Sequence, residues 1–290
     1  MELFQYPYMQ RALIAALVIG LAAPALGIYL VQRRLALIGD GIGHVALTGV
    51  GAGLLLNRSP VLVAVIVATV GAIAIELVRS RGRTSGDLAL ALLFYGGIAG
   101  GVLLVGLSDA TSVNLNAYLF GSLTTIFPGD LITIAVLGTA ILIAMIALRP
   151  ALFAISHDEE YARVSGLPVR TLNLLIAVTT AVTVTIAMRA VGVLLISALM
   201  VVPVATAQQV TRGFRSTMTA AMALGLFAAG SGVWVAATAD TAPGASVVLL
   251  AIASFLVVAV AAGVWRRLRR RATPAAAPTA EPHEVVLGSS

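Results

Sequence analysis

Apolar residues fill long blocks of this 290-residue chain, and polar residues fall between the blocks rather than alternating within them. A block of about 20 apolar residues is what an α-helix needs to cross the hydrocarbon of a bilayer. Nine such blocks are present, at about 11–31, 37–56, 60–79, 87–107, 128–148, 171–189, 191–209, 216–237 and 244–264. The pattern predicts an all-α integral membrane protein with one domain over 1–271 and short loops. In the first block, Ala22-Ala23-Pro24-Ala25-Leu26-Gly27 supplies the small residues of a signal-peptide cleavage site. Arg33 and Arg34 follow that block and no basic stretch precedes it, the wrong polarity for export and cleavage, so it is expected to stay as a helix.

Two stretches between the blocks carry structure of their own. Val113-Asn114-Leu115-Asn116-Ala117-Tyr118-Leu119-Phe120-Gly121-Ser122-Leu123 is apolar but too short to cross. It fits either a re-entrant or interfacial helix, with Tyr118 and Phe120 at headgroup level, or a packed surface loop. In the loop from Arg149 to Arg170, Ser156-His157-Asp158-Glu159 reads as a capping box, the Ser156 hydroxyl and the Glu159 carboxylate satisfying amides reciprocally. Gly166 suits the left-handed turn that ends a helix, and Pro168 keeps it from continuing. A capped helix over 158–165, inside an element at about 156–168, is therefore expected. It is too short to be stable alone, so it needs something to pack against, and a partner protein fits that need. Residues 272–290, rich in alanine and proline, are expected to form a disordered tail.

Composition narrows the class. Hydrophobic residues make up 60% of the chain and charged residues 10%, against roughly a quarter charged in soluble proteins. All 18 basic residues are arginine, and a P-loop ATPase needs a lysine for the nucleotide phosphates, so ATP hydrolysis is not expected in this chain. Without cysteine there is no disulfide, thiolate metal site or cysteine nucleophile. The net charge of +6 comes from arginines at the block boundaries rather than from a nucleic-acid surface. With the C-terminus in the cytoplasm, 15 of the 18 arginines fall on the cytoplasmic side, leaving Arg11, Arg58 and Arg189 outside. The positive-inside rule thus predicts nine helices with the N-terminus outside.

Candidate chemistry concentrates at the start of the second block, in Gly39-Asp40-Gly41-Ile42-Gly43-His44. Asp40 and His44 stand four residues apart and share one helical face. A carboxylate and a neutral imidazole suit a borderline-soft divalent cation such as zinc or manganese, and ionisable groups at membrane depth usually face a cavity or a substrate path. The alternative is structural, with Asp40 as a helix N-cap and His44 bonded inside the bundle. The bracketing glycines point to close approach of another helix or to local unwinding. Glu76 sits at a similar depth and is either a third ligand or the partner of Arg79 three residues on. Asp87 fits the N-cap of the fourth helix, while Asp109, Asp130 and Asp240 lie toward the outer face. Arg189, at the outer turn, suits a partner or a headgroup. Pro203 is expected to kink the seventh helix, with Ser197, Thr206 and Gln208 satisfying freed backbone. Met188 and Met200 read as packing. No catalytic constellation emerges, since His157 and His283 both fall outside the blocks.

The order Val31-Gln32-Arg33-Arg34, then Leu37 to His44 with Leu47 and Gly49, resembles the membrane permease subunits of bacterial zinc/manganese ABC importers. So do Ala117-Tyr118-Leu119-Phe120-Gly121, the loop around Ala162 to Gly166, Arg189-Ala190-Val191-Gly192, Val201 to Ala207 and Thr241-Ala242-Pro243-Gly244. The resemblance is collinear from about residue 10 to 264. It implies a fold similar to the vitamin B12 and siderophore-type permeases, a second permease copy paired around a central pathway (a homodimer), two cytoplasmic ATPase subunits and an extracytoplasmic metal-binding protein. Zn²⁺ or Mn²⁺ would be cargo rather than a resident cofactor, and the location would be the bacterial plasma membrane. The metal-contacting residues implied are Asp40 and His44, with Glu76 the candidate third. The capped helix, with Ser156, Asp158, Glu159, Ala162 and Gly166, becomes the element that seats in the ATPase. Three other readings remain in play. A secondary metal transporter would be expected to show more intramembrane acids and an inverted repeat. A siderophore or cobalamin permease would prefer a wider pathway without a charged pair, and a metal-dependent membrane enzyme would need a second intramembrane histidine.

Overall fold

A computed structural model describes residues 6–80, 86–108, 115–122, 124, 126–193 and 195–272. Arg81, Arg83, Asp109, Val113, Asn114, Leu123 and the tail from 273 lie outside the described residues, as does the side chain of Asp87. Twelve helices are present among them: α1 (Pro7–Gln32), α2 (Ile38–Leu55), α3 (Pro60–Ser80), α4 (Gly86–Leu107), α5 (Leu115–Phe120), α6 (Pro128–Ala147), α7 (Arg149–His157), α8 (Glu159–Val164), α9 (Val169–Ala187), α10 (Ile196–Gln208), α11 (Phe214–Ala239) and α12 (Pro243–Ala272). Eight are long and apolar enough to cross a membrane; α10, with 13 residues, is shorter.

Burial sorts the long helices into an inner and an outer set. α1, α2 and α9 lie inside, and Tyr29, Ile42 and Val184 on them are fully covered. The hydroxyl of Tyr29 donates to the Met145 carbonyl at 2.8 Å, so a polar group in the apolar interior is satisfied. α3, α4, α6 and α12 turn apolar stripes outward: Leu62, Ile66 and Val70 on α3, and Leu249, Leu256 and Val260 on α12. Such stripes at helical spacing would be an aggregation hazard in water and are the surface a bilayer requires. Small residues bring the helices together. A side chain on Gly49 would strike Ala64 of α3, and one on Gly51 would strike Leu104 of α4.

Two ends of the bundle are distinguished by what meets there. At one, Arg11 reaches the Ile126 carbonyl, Arg189 pairs with Asp130, and Tyr118 accepts from the Val193 amide. At the other, the Arg33 guanidinium meets Glu159, and Phe214 packs on Tyr29 and Phe153. α12 starts at the first end, where Gly244 abuts Val191 and Phe120, and reaches the second, where Trp265 borders a groove with Thr211 and Arg212.

The seventh predicted block departs from a continuous helix. α9 stops at Ala187 and α10 begins only at Ile196, so the chain covers part of this passage as irregular backbone. The cause is tertiary. Ser122 N–H donates to the Arg189 carbonyl at 3.2 Å and Val193 N–H to the Tyr118 carbonyl at 2.9 Å, tying 189–193 to the end of α5. Gly121 (φ 78°) and Gly192 (φ 92°) allow the approach, since a side chain on Gly192 would lie 2.4 Å from the Leu119 carbonyl oxygen. Irregular backbone at membrane depth is tolerated where protein buries it. Residues 115–120 of the short apolar stretch accordingly form a helix, α5. Arg189 is occupied by Asp130 at 2.5 Å, with Tyr118 and Phe127 about its guanidinium, and Asp240 caps α11 at φ 50°.

The loop from Arg149 holds two helices where the sequence suggested one. Pro150 in its first turn starts α7. Ser156 belongs to α7 and donates back to the Leu152 carbonyl at 2.7 Å, so it does not cap the next helix. The N-cap is Asp158, whose carboxylate accepts from Tyr161 N–H at 2.9 Å. Gly166 (φ 81°) closes α8 as expected, with Leu167 N–H returning to the Ala162 carbonyl.

Candidate functional site

The segment bearing Asp40 and His44 is regular helix from Ile38 onward, and its glycines serve close packing rather than unwinding. Side chains at Gly39, Gly41 and Gly43 would press on Ser197 of α10, Leu90 of α4 and Val193 respectively. Asp40 lies in the first turn, where the helix dipole favours a carboxylate. It is not the N-cap, a position held by Leu37; its Oδ1 instead accepts a short hydrogen bond from the Ser197 hydroxyl. Ser197 is therefore committed to Asp40 rather than to backbone near Pro203, where Thr206 bonds the Val202 carbonyl.

His44 is 8% exposed, and its Nδ1 is buried without a hydrogen-bond partner. Buried polar atoms are normally paired, so an imidazole nitrogen left unpaired in an apolar bundle calls for an account. α4 covers it closely. The Phe94 ring stands edge-on to the imidazole with centroids 4.3 Å apart, and Gly97 lies against the His44 backbone. The Thr48 hydroxyl locks the two helices by donating to the Gly97 carbonyl at 2.7 Å. Asp40 opens onto a groove of about 270 Å³ shared with Leu37, Leu90, Ala91, Phe94 and Tyr95, and the Tyr95 side chain is largely exposed beside it.

Glu76 does not join this pair. Both its oxygens accept from Arg79, at 2.9 and 2.8 Å, a bidentate ion pair within α3. Among the described residues, no three histidine, aspartate or glutamate side chains come together as a metal-holding group. Glu76 and Arg79 instead line a cavity of about 560 Å³ with Ser80, Glu159, Arg163, Arg170 and Asn173. Glu159 accepts from Arg33 at 3.0 Å, from Arg163 at 3.4 Å and from Asn173 at 3.5 Å. Burial, and then the neighbouring Arg79, hold the Arg33 guanidinium below its ordinary value against the pull of Glu159 and Glu76. Ala162, within α8, is fully buried on its inner side, while Asp158 and Gly166 shape the two ends of the helix. Met188 and Met200 are buried packing residues.

Sequence reasoning does not bring three residues to these places: it puts Ser197 at the backbone near Pro203, and gives Phe94 and Arg33 no site role. Ser197 reaches Asp40 from 157 positions away. Phe94 lies in an apolar run with no local signal, and Arg33 carried only topological meaning in the sequence.

Comparison with known proteins covers nearly the whole chain. Residues 5–262 match the sequence profile of the ABC 3 transport family. The manganese transport system membrane protein MntC of Halalkalibacterium halodurans is 31% identical over 88% of this chain and 87% of its own. The high-affinity zinc uptake system membrane protein ZnuB of Haemophilus influenzae is 32% identical over 82% and 91%. Among solved structures, PsaBC from Streptococcus pneumoniae in complex with Fab superposes with a TM-score of 0.79 at 29% identity, covering 88% of this chain and 92% of that one.

Proposed function

The chain belongs to the ABC 3 transport family, as a membrane permease of a metal ABC transport system, and from that premise we propose that it carries Zn²⁺, with Mn²⁺ the next candidate, inward across the plasma membrane. Asp40 and His44 act as transient ligands for the passing ion. The supporting observation is their shared face on α2, with the His44 Nδ1 buried and unpaired beside a carboxylate that opens onto a groove. A carboxylate and an imidazole are too few to hold an ion permanently, which suits a site that must release it. Two copies facing each other would offer two acids and two imidazoles, and the exposed Tyr95 at the groove and the exposed Leu37 at its rim give that second copy an apolar surface. Glu76, occupied by Arg79 here, enters the ligand set only if that ion pair opens in another state.

ATP is hydrolysed by two cytoplasmic ATPase subunits that seat on α8, with Ser156, Asp158, Glu159, Ala162 and Gly166 shaping the docking element. A binding protein delivers the ion at the opposite end, so the N-terminus lies outside and the C-terminus inside. Transport then follows alternating access, the ATPase biasing two arrangements of the helices. The test is uptake into proteoliposomes containing this chain, its ATPase and its binding protein. ATP-dependent accumulation of zinc above manganese is expected. Equal accumulation without ATP would point to a secondary transporter, and preference for manganese would reverse the choice of ion.

A further inference from the structure

Arg33 ends α1 as its C-cap, and its side chain is 6% exposed. Arg34 follows in the left-handed region at φ 59°, and Leu35 N–H returns to the Leu30 carbonyl at 2.8 Å, which fixes the turn. α2 starts at Ile38, and Asp40 and His44 occupy its first two turns. Movement of the turn at Arg33 is therefore passed through a continuous helix to both side chains.

On the other side of the contact is α8. Its backbone packs on α7 and α9, and Ala162 anchors it from beneath. Glu159, its first residue, accepts from Asn173 of α9 through one carboxylate oxygen and meets the Arg33 guanidinium through the other at 3.0 Å. A buried guanidinium cannot simply lose its counter-charge, because an unpaired charge away from water is strongly unfavourable. If α8 shifts, Arg33 either follows it or must find another acid. The adjoining cavity of about 560 Å³ gives room for the shift, and Glu76 lines that cavity as the alternative acid.

We infer that the Arg33–Glu159 ion pair is the tie by which displacement of α8 moves the start of α2 and so the Asp40–His44 pair. Glu159 and Arg33 are thus positioning residues for transport. The inference rests on α8 being where the ATPase acts.

A double-mutant cycle in the reconstituted complex tests the tie, reading metal ions moved per ATP hydrolysed. Arg33→Met and Glu159→Gln are each expected to lower that ratio by about tenfold, the scale of an ordinary coupling energy between sites. ATPase co-purification is read on the same preparations and the ratio is taken on the assembled complex, so that a loss of docking is separated from a loss of the tie. The double variant should be no worse than the worse single, since either change cuts the same link. Arg163→Gln, which removes the more exposed pair on the same carboxylate, should keep the wild-type ratio. Wild-type ratios in both singles, or effects that multiply in the double, overturn the tie. Should Arg33→Met fail to assemble, Glu159→Gln decides alone, and a wild-type ratio there overturns it. A wild-type complex that moves no metal with ATP overturns the functional reading and the tie with it, a result distinct from the others.

Discussion

Gly97→Ala places one methyl group at the tightest point between α2 and α4. An added Cβ would lie 2.6 Å from the His44 carbonyl carbon and from the Val45 nitrogen, and 3.0 Å from the His44 Cβ. Ordinary contact begins near 3.4 Å, and two of the obstructing atoms are backbone, so the helices must part by several tenths of an ångström. Overpacking of this kind costs about 1–3 kcal/mol. The parting also strains the Thr48–Gly97 hydrogen bond, and interhelical bonds in membranes average about 0.6 kcal/mol. A total of about 2–4 kcal/mol follows from these terms. The neighbour Gly96 supplies the control, because nothing lies within 4 Å of its added Cβ. Gly96→Ala should be neutral or gain up to about 1 kcal/mol from helix propensity. Unfolding of the purified chain in detergent, followed by helical signal against denaturant, compares the two. If Gly97→Ala proves as stable as Gly96→Ala, the close α2–α4 contact at His44 is wrong.

Other elements give shorter tests. Gly192→Ala combines φ 92° with a Cβ 2.4 Å from the Leu119 carbonyl oxygen, and should destabilise by more than about 2 kcal/mol or prevent folded expression, read by melting temperature and yield. Tyr29→Phe removes the hydroxyl bound to Met145 and should cost about 0.5–1.5 kcal/mol in the same unfolding assay; an unchanged midpoint would show that the bond contributes nothing net. Asp158→Ala, which removes the side-chain cap of α8, should lower stability locally by about 0.5–2 kcal/mol. Hydrogen exchange of the Tyr161 amide reads that loss directly, and unchanged protection would contradict the cap.

What could be read from sequence was what depends on short-range pattern. Apolar length located the spans, four-residue spacing put Asp40 and His44 on one face of α2, and Gly166 with Pro168 marked the end of α8. The seventh span is shorter as a helix than its apolar block, because apolar composition is the same for a helix and for the irregular backbone at 188–193; only the hydrogen bonds to the end of α5 distinguish them. The cap of α8 was assigned to Ser156 because the Ser-x-x-Glu pattern competes locally with Asp158, and an unforeseen helix, α7, had already claimed the serine. Glu76 stayed ambiguous in sequence, and its Arg79 partner three residues on is the local contact the structure forms. Ser197, Phe94 and the Arg33–Glu159 pair needed contacts across 50 to 157 positions, which no local pattern encodes.

The central claim is that Asp40 and His44 contact the ion in transit. Metal uptake by Asp40→Ala and His44→Ala in the reconstituted complex, with ATPase assembly monitored in the same preparations, tests it most directly. The account predicts that both variants assemble and hydrolyse ATP but lose zinc and manganese uptake. Normal uptake in both would contradict it and leave the pair a structural feature of α2.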